Sequence, residues 1–380
     1  TGDELWKSDG TPDGTKLVKD INPLAAGSQI LSFISLNNTV FFTANDGTNG
    51  RELWKTNGTP AGTVMVKDIN LNGNSDPVSL TVFDNQLFFS AATVVNGVFD
   101  RELWKTTGTE ISTVRVIDIN PNGPSLVNTL TVFNNALYFI ANASLFKSDG
   151  TKAGTTMIPI IDFATGATGG GPNSLTVANN TLFFFTLGNA VTGQELWKVT
   201  TDDITSIVAD IRPGPLGSEP RMLTAASGQL FFTADDGIHG RELWKSDGTT
   251  AGTVLVQDLV AGVEDADIEQ INGFRAVRGS DLFFSSYGAG GLELRRSDGT
   301  VNGIVNLRDI GPTGSNPSEF VKMGNFTYFV ADDGETGREL WKTDHTQAGT
   351  QRVAGFIPGT SGSSPSNLLV VKATNGNLTL

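Results

Sequence analysis

The residue types that could carry chemistry gather in one part of the chain. Glu264-Asp265-Ala266-Asp267-Ile268-Glu269 is an acidic run, and around it in sequence stand Arg212, Arg221, Arg275, Arg278 and Tyr287. Two carboxylates held at a defined separation can cleave glycosidic bonds, one as acid and the other as base or nucleophile. Asp265 and Glu269 are the candidates for such a pair, and the reaction would be that of a polysaccharide hydrolase or lyase. The same charges also suit a polar ligand site, with Arg212, Arg221, Asp265, Asp267, Glu269, Arg275, Arg278 and Tyr287 as its binding residues. A merely solvated charged surface is the third reading.

A second set lies in Asp-Gly loops: Asn45-Asp46-Gly47, Asp235-Asp236-Gly237 and Asp332-Asp333-Gly334. Calcium takes about six to eight oxygens, so Asp46, Asp235, Asp236, Asp332 and Asp333 are the calcium candidates. They lack alternating Asp spacing, and Asp-Gly pairs also make turns by themselves, which is the favoured reading. No other cofactor is expected, because phosphate loops and dinucleotide fingerprints are absent. The two histidines, His239 and His345, fall in different kinds of loop, which argues against a His-paired metal site. Cysteine is absent, which excludes disulfides, thiolate zinc sites and thiol nucleophiles. The net charge of −14 speaks against nucleic acid and against anionic membrane surfaces. No run of 18 apolar residues occurs, so no membrane-inserted helix is expected.

The elements that must position these residues form a repeat. Glu-Leu-Trp-Lys opens at Glu4, Glu52, Glu102, Glu195, Glu242 and Glu339, and degenerate copies open at Ser144 and Glu293. The eight copies are 42 to 51 residues apart, the period of a solenoid, array or propeller. Each unit holds four short stretches rich in Val, Ile, Phe and Thr, bounded by Gly, Asn, Asp or Pro. Ser79 to Phe83, Leu87 to Ala91, Glu102 to Lys105 and Val114 to Ile119 are one set. No segment has a helical period. Four strands per unit is the pattern of a propeller blade.

The chain begins with a third strand and ends with a first and second. Two strands at each end make one whole blade, and pairing them would leave no open sheet edge. The expected fold is all-β, a closed eight-bladed propeller forming a single domain over 1–380. Its blades are 28–70, 78–120, 127–163, 173–211, 220–259, 271–310, 318–357, and 365–380 with 1–22. Trp6, Trp54, Trp104, Trp197, Trp244 and Trp341 are read as core. Glu4, Glu52, Glu102, Glu195, Glu242 and Glu339 are read as paired carboxylates that fix each hairpin, since an unpaired buried carboxylate is costly. Asp9, Asp149, Asp247 and Asp298 sit in Asp-Gly-Thr turns and are expected to cap loop N–H groups. Asp20, Asp68, Asp118, Asp162, Asp210, Asp258 and Asp309 close the fourth strand, with the same role or a place at a channel mouth.

The units follow Glu-Leu-Trp-x-x-Asp-Gly-Thr-x-x-Gly-Thr-x-Leu-Val-x-Asp-Ile. Over essentially the whole chain this resembles the bacterial proteins named for the ELWxxDGT repeat, also called hyalin-like. The resemblance implies a secreted or surface protein, as in environmental bacteria including cyanobacteria, and transfers no catalytic motif. The Ser-Asp-Gly-Thr turns are also similar to the Asp-box hairpins of sialidase-type propellers, where they are structural. The expectation is therefore a secreted or cell-surface, non-catalytic binding or adhesion module for a glycan or an extracellular protein. It is expected to be a monomer and, since the chain opens at Thr1, a mature or trimmed piece of a longer multidomain protein. A carboxylate-based polysaccharide enzyme and a purely structural unit of a large adhesin are the alternatives.

Overall fold

The computed structural model describes residues 3–7, 16–24, 26–71, 73–95, 97–162, 166, 168–188, 191–226, 228–266, 268, 275–278, 281–288, 291–300, 303–354, 362–366, 368, 370–372 and 378–379. For 95, 275–278, 281, 288, 354, 371–372 and 378–379 the description is of the backbone alone. Among these residues every extended element is a strand, and no α-helix occurs. The chain divides into two compact units, Thr1–Pro159 and Ile160–Leu380.

The first unit holds a two-stranded sheet, Leu5–Lys7 with Lys16–Lys19, and four-stranded sheets spanning 31–67, 78–117 and 128–158. The second holds four-stranded sheets spanning 172–209, 221–257, 275–308 and 318–354, and a two-stranded one, Val371–Lys372 with Leu378–Thr379. Every four-stranded sheet is an antiparallel meander in chain order. Within each unit the first strands of successive four-stranded sheets lie side by side. Repeated four-stranded meanders set out in this way are the blade pattern of β-propellers.

Local chemistry explains the meander. The first turn is Asn37-Asn38, Asp84-Asn85, Asn134-Asn135 or Asn179-Asn180, with positive φ at both residues. That is the two-residue hairpin turn whose twist matches the strands, and Asn and Asp tolerate it best. The second strand supplies the core: Leu87, Phe88 and Phe89, like Leu182, Phe183 and Phe184, are fully buried. The tryptophan of the third strand faces the last of these aromatics, as in Phe42 opposite Trp54 and Phe89 opposite Trp104. Phe184 and Trp197 stack with ring centres 6.3 Å apart. Trp54, Trp104, Trp197 and Trp341 are buried and Trp244 is partly so, whereas Trp6 is 58% exposed.

The third-to-fourth turn joins sheet to sheet. Asp149 Oδ1 accepts from Thr151 N at 2.8 Å and Thr151 Oγ1 at 2.7 Å, and Asp247, Asp298 and Asp344 bind their Thr in the same way. The carbonyl of the turn glycine accepts from the lysine of the preceding sheet: Lys55 on Gly108, Lys105 on Gly150, Lys198 on Gly248 and Lys245 on Gly299, at 2.6 to 2.9 Å. The same glycine packs on the preceding sheet's second strand. A Cβ at Gly150 would sit 2.8 Å from the Phe88 ring. In the last such turn His345 takes the left-handed place, with its ring centre 4.8 Å from that of Phe283.

These contacts predict that two equivalent glycines differ. Gly58 has φ +83° and open space around it, while Gly150 has φ +87° and the Phe88 contact. Gly58→Ala should cost about 1 kcal/mol of backbone strain, and Gly150→Ala about 1–3 kcal/mol more from overpacking. Urea unfolding of both variants measures the gap; equal losses would refute the packing argument.

One feature has no visible sequence signal. The first strand carries a non-glycine residue in the left-handed region at Ser32, Ser79, Thr129, Ser174, Met222 and Glu319. The register with the second strand shifts at that point, as between Val78 and Thr81. Such irregularities bend a strand and sharpen its twist.

Candidate functional site

The glutamate of the repeat builds the loop face. Glu195, just before the strand Leu196–Val199, is fully buried. It accepts from Ile211 N at 3.3 Å, Arg212 N at 3.1 Å, Ser218 N at 3.0 Å and Ser218 Oγ at 2.6 Å. All of these donors lie in the connection to the next sheet. Glu52 binds Ile69 N and Ser75, Glu102 binds Ile119 N and Ser125, and Glu293 binds Ile310 N and Ser315. Glu4 holds Ile21 N and Ser28, and Glu339 holds Ser363. Among the described residues Glu242 alone of these glutamates meets no hydroxyl, since Ala266 stands at the serine position; it binds Leu259 N and Val260 N. Burial pushes Glu52, Glu102, Glu195 and Glu242 up to about 7, against the hydrogen bonds that hold them. The glutamates thus join one sheet to the connection leading into the next, a longer reach than the hairpin expected of them.

The loop between the second and third strands lies against the connections on either side. A Cβ at Gly237 would come within 3.1 Å of Arg212 Nε, and one at Gly240 within 2.4 Å of Glu264 O. At Gly193 a Cβ would sit 2.3 Å from Gly217 N, where Gln194 and Gly217 form a parallel bridge. Glycine is required there because backbone meets backbone.

Beside that bridge is a pocket of about 310 Å³. Gly188 and Gly193 contribute only backbone, Leu187, Pro215 and Leu216 form apolar walls, and Gln194 and Glu219 add polar groups. Leu187 is 60% and Leu216 67% exposed. Glu219 is held firmly: its Oε2 accepts from Arg221 Nη2 at 2.9 Å and from Arg241 Nη2 at 3.0 Å, and its carbonyl accepts from Arg241 Nη1 at 2.7 Å. The lining exposes more polar than apolar surface and opens to solvent, which suits a polar ligand at a shallow site.

The sequence candidates separate on this frame. Arg212 pairs with Asp235 at 2.5 Å and borders the same connection as the pocket. Arg221 belongs to the Glu219 network. Asp265 is exposed, and its Oδ1 accepts from Arg241 N at 2.8 Å. Tyr287 is half exposed on another sheet, its carbonyl accepting from Arg295 Nη2 at 3.1 Å. Asp267 and Glu269 lie outside the described residues, as do the side chains of Arg275 and Arg278 and the turn aspartate Asp9.

The calcium candidates turn inward. Asp46 Oδ1 accepts from Thr48 N and Asn49 N, Asp236 Oδ1 from Ile238 N and His239 N, and Asp333 Oδ1 from Glu335 N and Thr336 N, all at 2.7 to 3.0 Å. Asp235 and Asp332 accept from Gly237 N and Gly334 N. Among the described residues no group of three or more metal-ligating side chains could hold an ion. His239 Nδ1 lies 2.8 Å from Asp236 Oδ2, and that bond raises the imidazole's pKa.

Glu219, Gln194, Leu187 and Leu216 were not anticipated. Two signals pointed to them. Gln194 stands where Arg51, Arg101, Arg241 and Arg338 stand in other copies. The lock serine follows its glutamate by 22 to 24 residues, and Glu219 follows one such serine.

No family model matches the chain. Nor does any curated protein. Among solved structures, the computationally designed protein Ika8 is similar over 95% of this chain and 98% of its own, with 16% identity and a TM-score of 0.51. A prolyl endopeptidase is similar over 92% of this chain and 53% of its own, with 10% identity and a TM-score of 0.51. A puromycin-hydrolyzing peptidase of Mycobacterium tuberculosis is similar over 94% of this chain and 57% of its own, again with 10% identity and a TM-score of 0.51. The chain spans about half the length of the two peptidases. At such identities the likeness is one of fold.

Proposed function

We propose that this chain is a secreted or cell-surface binding module without catalytic activity, presenting one loop face to a glycan or an extracellular protein. The observation that carries the reading is the pocket at Leu187, Gln194, Leu216 and Glu219, which couples exposed apolar walls to a carboxylate fixed by two arginines. Asp265 is engaged by a backbone N–H. The repeat's resemblance to surface proteins supports the location. Calcium has no part in this reading.

A glycan array and a pull-down from native extracellular matrix test it. The expected result is a ligand whose affinity falls about tenfold or more in Leu216→Asp and in Glu219→Ala, from loss of apolar contact and of the carboxylate held by Arg221 and Arg241. Clean negatives in both screens would count against binding and favour a purely structural role. Turnover of a polysaccharide, abolished by Asp265→Asn or Glu269→Gln, would favour the enzyme instead.

The same proposal takes the fold as one closed, eight-bladed propeller, with the two-stranded sheets of 5–19 and 371–379 as halves of one blade. Its support is that these two sheets carry two strands each where every other sheet carries four.

A further inference from the structure

The repeated glutamates have a property that binding does not use. Glu52, Glu102, Glu195, Glu242 and Glu339 are fully buried and Glu293 nearly so. Among the described residues no lysine, arginine or histidine forms an ion pair with any of them. Their partners are neutral serine hydroxyls and backbone N–H groups. What faces them is more negative charge. Asp68 acts on Glu52, Asp210 on Glu195, and Asp258 and Asp265 on Glu242. Asp100, itself paired with Arg115 at 2.8 Å, acts on Glu102, and Asp309 acts on Glu293. Among the described residues, His239 near Glu242 and Arg295 near Glu293 are further positive groups within electrostatic reach. The Oδ1 atoms of Asp68, Asp100, Asp118 and Asp258 are enclosed and have no donor.

In a buried carboxyl with no cation, set against a second carboxyl, desolvation and repulsion favour the proton, while the N–H and hydroxyl donors favour the carboxylate. We propose that the locks built on Glu52, Glu102, Glu195 and Glu242 are proton-binding switches, each holding a proton when closed and releasing its loop when that proton leaves. The proton passes to solvent, and the carboxylate left behind is repelled by its neighbouring aspartate. Because the released connections carry Leu216, Pro215 and Glu219, the loop face is tight in mild acid and loosens as the medium becomes alkaline.

The sign follows from linkage. A carboxyl raised from 4.5 to about 7 contributes stability that is complete below about pH 4.5 and is lost as pH rises through 7. The turn aspartates Asp149, Asp247, Asp298 and Asp344, held below the usual 3.8, act oppositely and only at lower pH. His239, raised above 6.5, acts with the glutamates, so the test must separate it.

The experiment is urea unfolding from pH 5 to 8 of the whole chain, of His239→Gln, of Glu195→Gln and of the quadruple Gln variant at 52, 102, 195 and 242. The unfolding midpoint should fall steadily from pH 5 to 8 and keep falling in His239→Gln. Glu195→Gln should reduce the slope by about one proton, and the quadruple variant should nearly abolish it. An infrared carboxylic-acid band present at pH 6 and absent at pH 9 reports the same protons, and it should shrink in Glu195→Gln even where the quadruple variant fails to fold. Amide exchange at Ile211, Arg212 and Ser218 should quicken above pH 7 beyond its intrinsic rise. A midpoint that is flat or rises from pH 5 to 8, a slope retained in the Gln variants, or an infrared band unchanged in Glu195→Gln would overturn the proposal.

Discussion

Glu195→Ala is expected to cost about 3–5 kcal/mol of folding stability at pH 6. The side chain accepts from three backbone N–H groups and one hydroxyl, all in the connection to the next sheet. Alanine offers no acceptor, and each donor left dry costs about 1–3 kcal/mol, less than additively because the loop relaxes. Desolvating the carboxyl runs the other way and lowers the net cost. Asp149→Ala is the internal comparison: that carboxylate also satisfies a Thr, but in an exposed turn where water replaces it, so the loss should be clearly smaller. Urea unfolding at fixed pH gives both numbers. If Glu195→Ala loses no more than Asp149→Ala, the lock is not what holds the loops.

Removal of residues 365–380 should lower the melting temperature by about 5–10 °C and produce oligomers. Lys16–Lys19 pairs with Leu5–Lys7, and Leu378–Thr379 pairs with Val371–Lys372, so each sheet keeps an outer edge that the proposed shared blade would cover. Loss of that cover would leave the edge of Leu5–Lys7 open to association. About 4–8 kcal/mol of lost pairing and burial corresponds to a shift of this size in a chain of 380 residues. Thermal unfolding with light scattering measures both effects. A monomeric truncation with an unchanged melting temperature would replace the closed ring with an open array.

How much of the site was legible varies with the range of the interaction. The Asp-Gly-Thr turns were readable because Asp149 and Asp247 act on residues two positions away, and composition alone specifies such contacts. The Asn37-Asn38 and Asn179-Asn180 hairpins were readable for the same reason. Calcium stayed open as the lesser reading at Asp46, Asp236 and Asp333, beside the favoured turn reading, because carboxylate type is visible in a sequence and orientation is not. In the structure their oxygens face their own loops.

The sequence by itself determined the repeat, the four strands of each unit, the aromatic core and the turn types, all consequences of local pattern and of what water excludes. Only the tertiary structure decided what the repeated glutamate does. Its serine is 22 to 24 residues away and reaches it only when one sheet is laid beside the next. The pocket is decided likewise: Gln194 and Glu219 are 25 positions apart and meet because Gly193 and Gly217 let two backbones touch. Contacts between sheets depend on backbone approach and loop course, and no periodicity along a single chain encodes the distance between two loops.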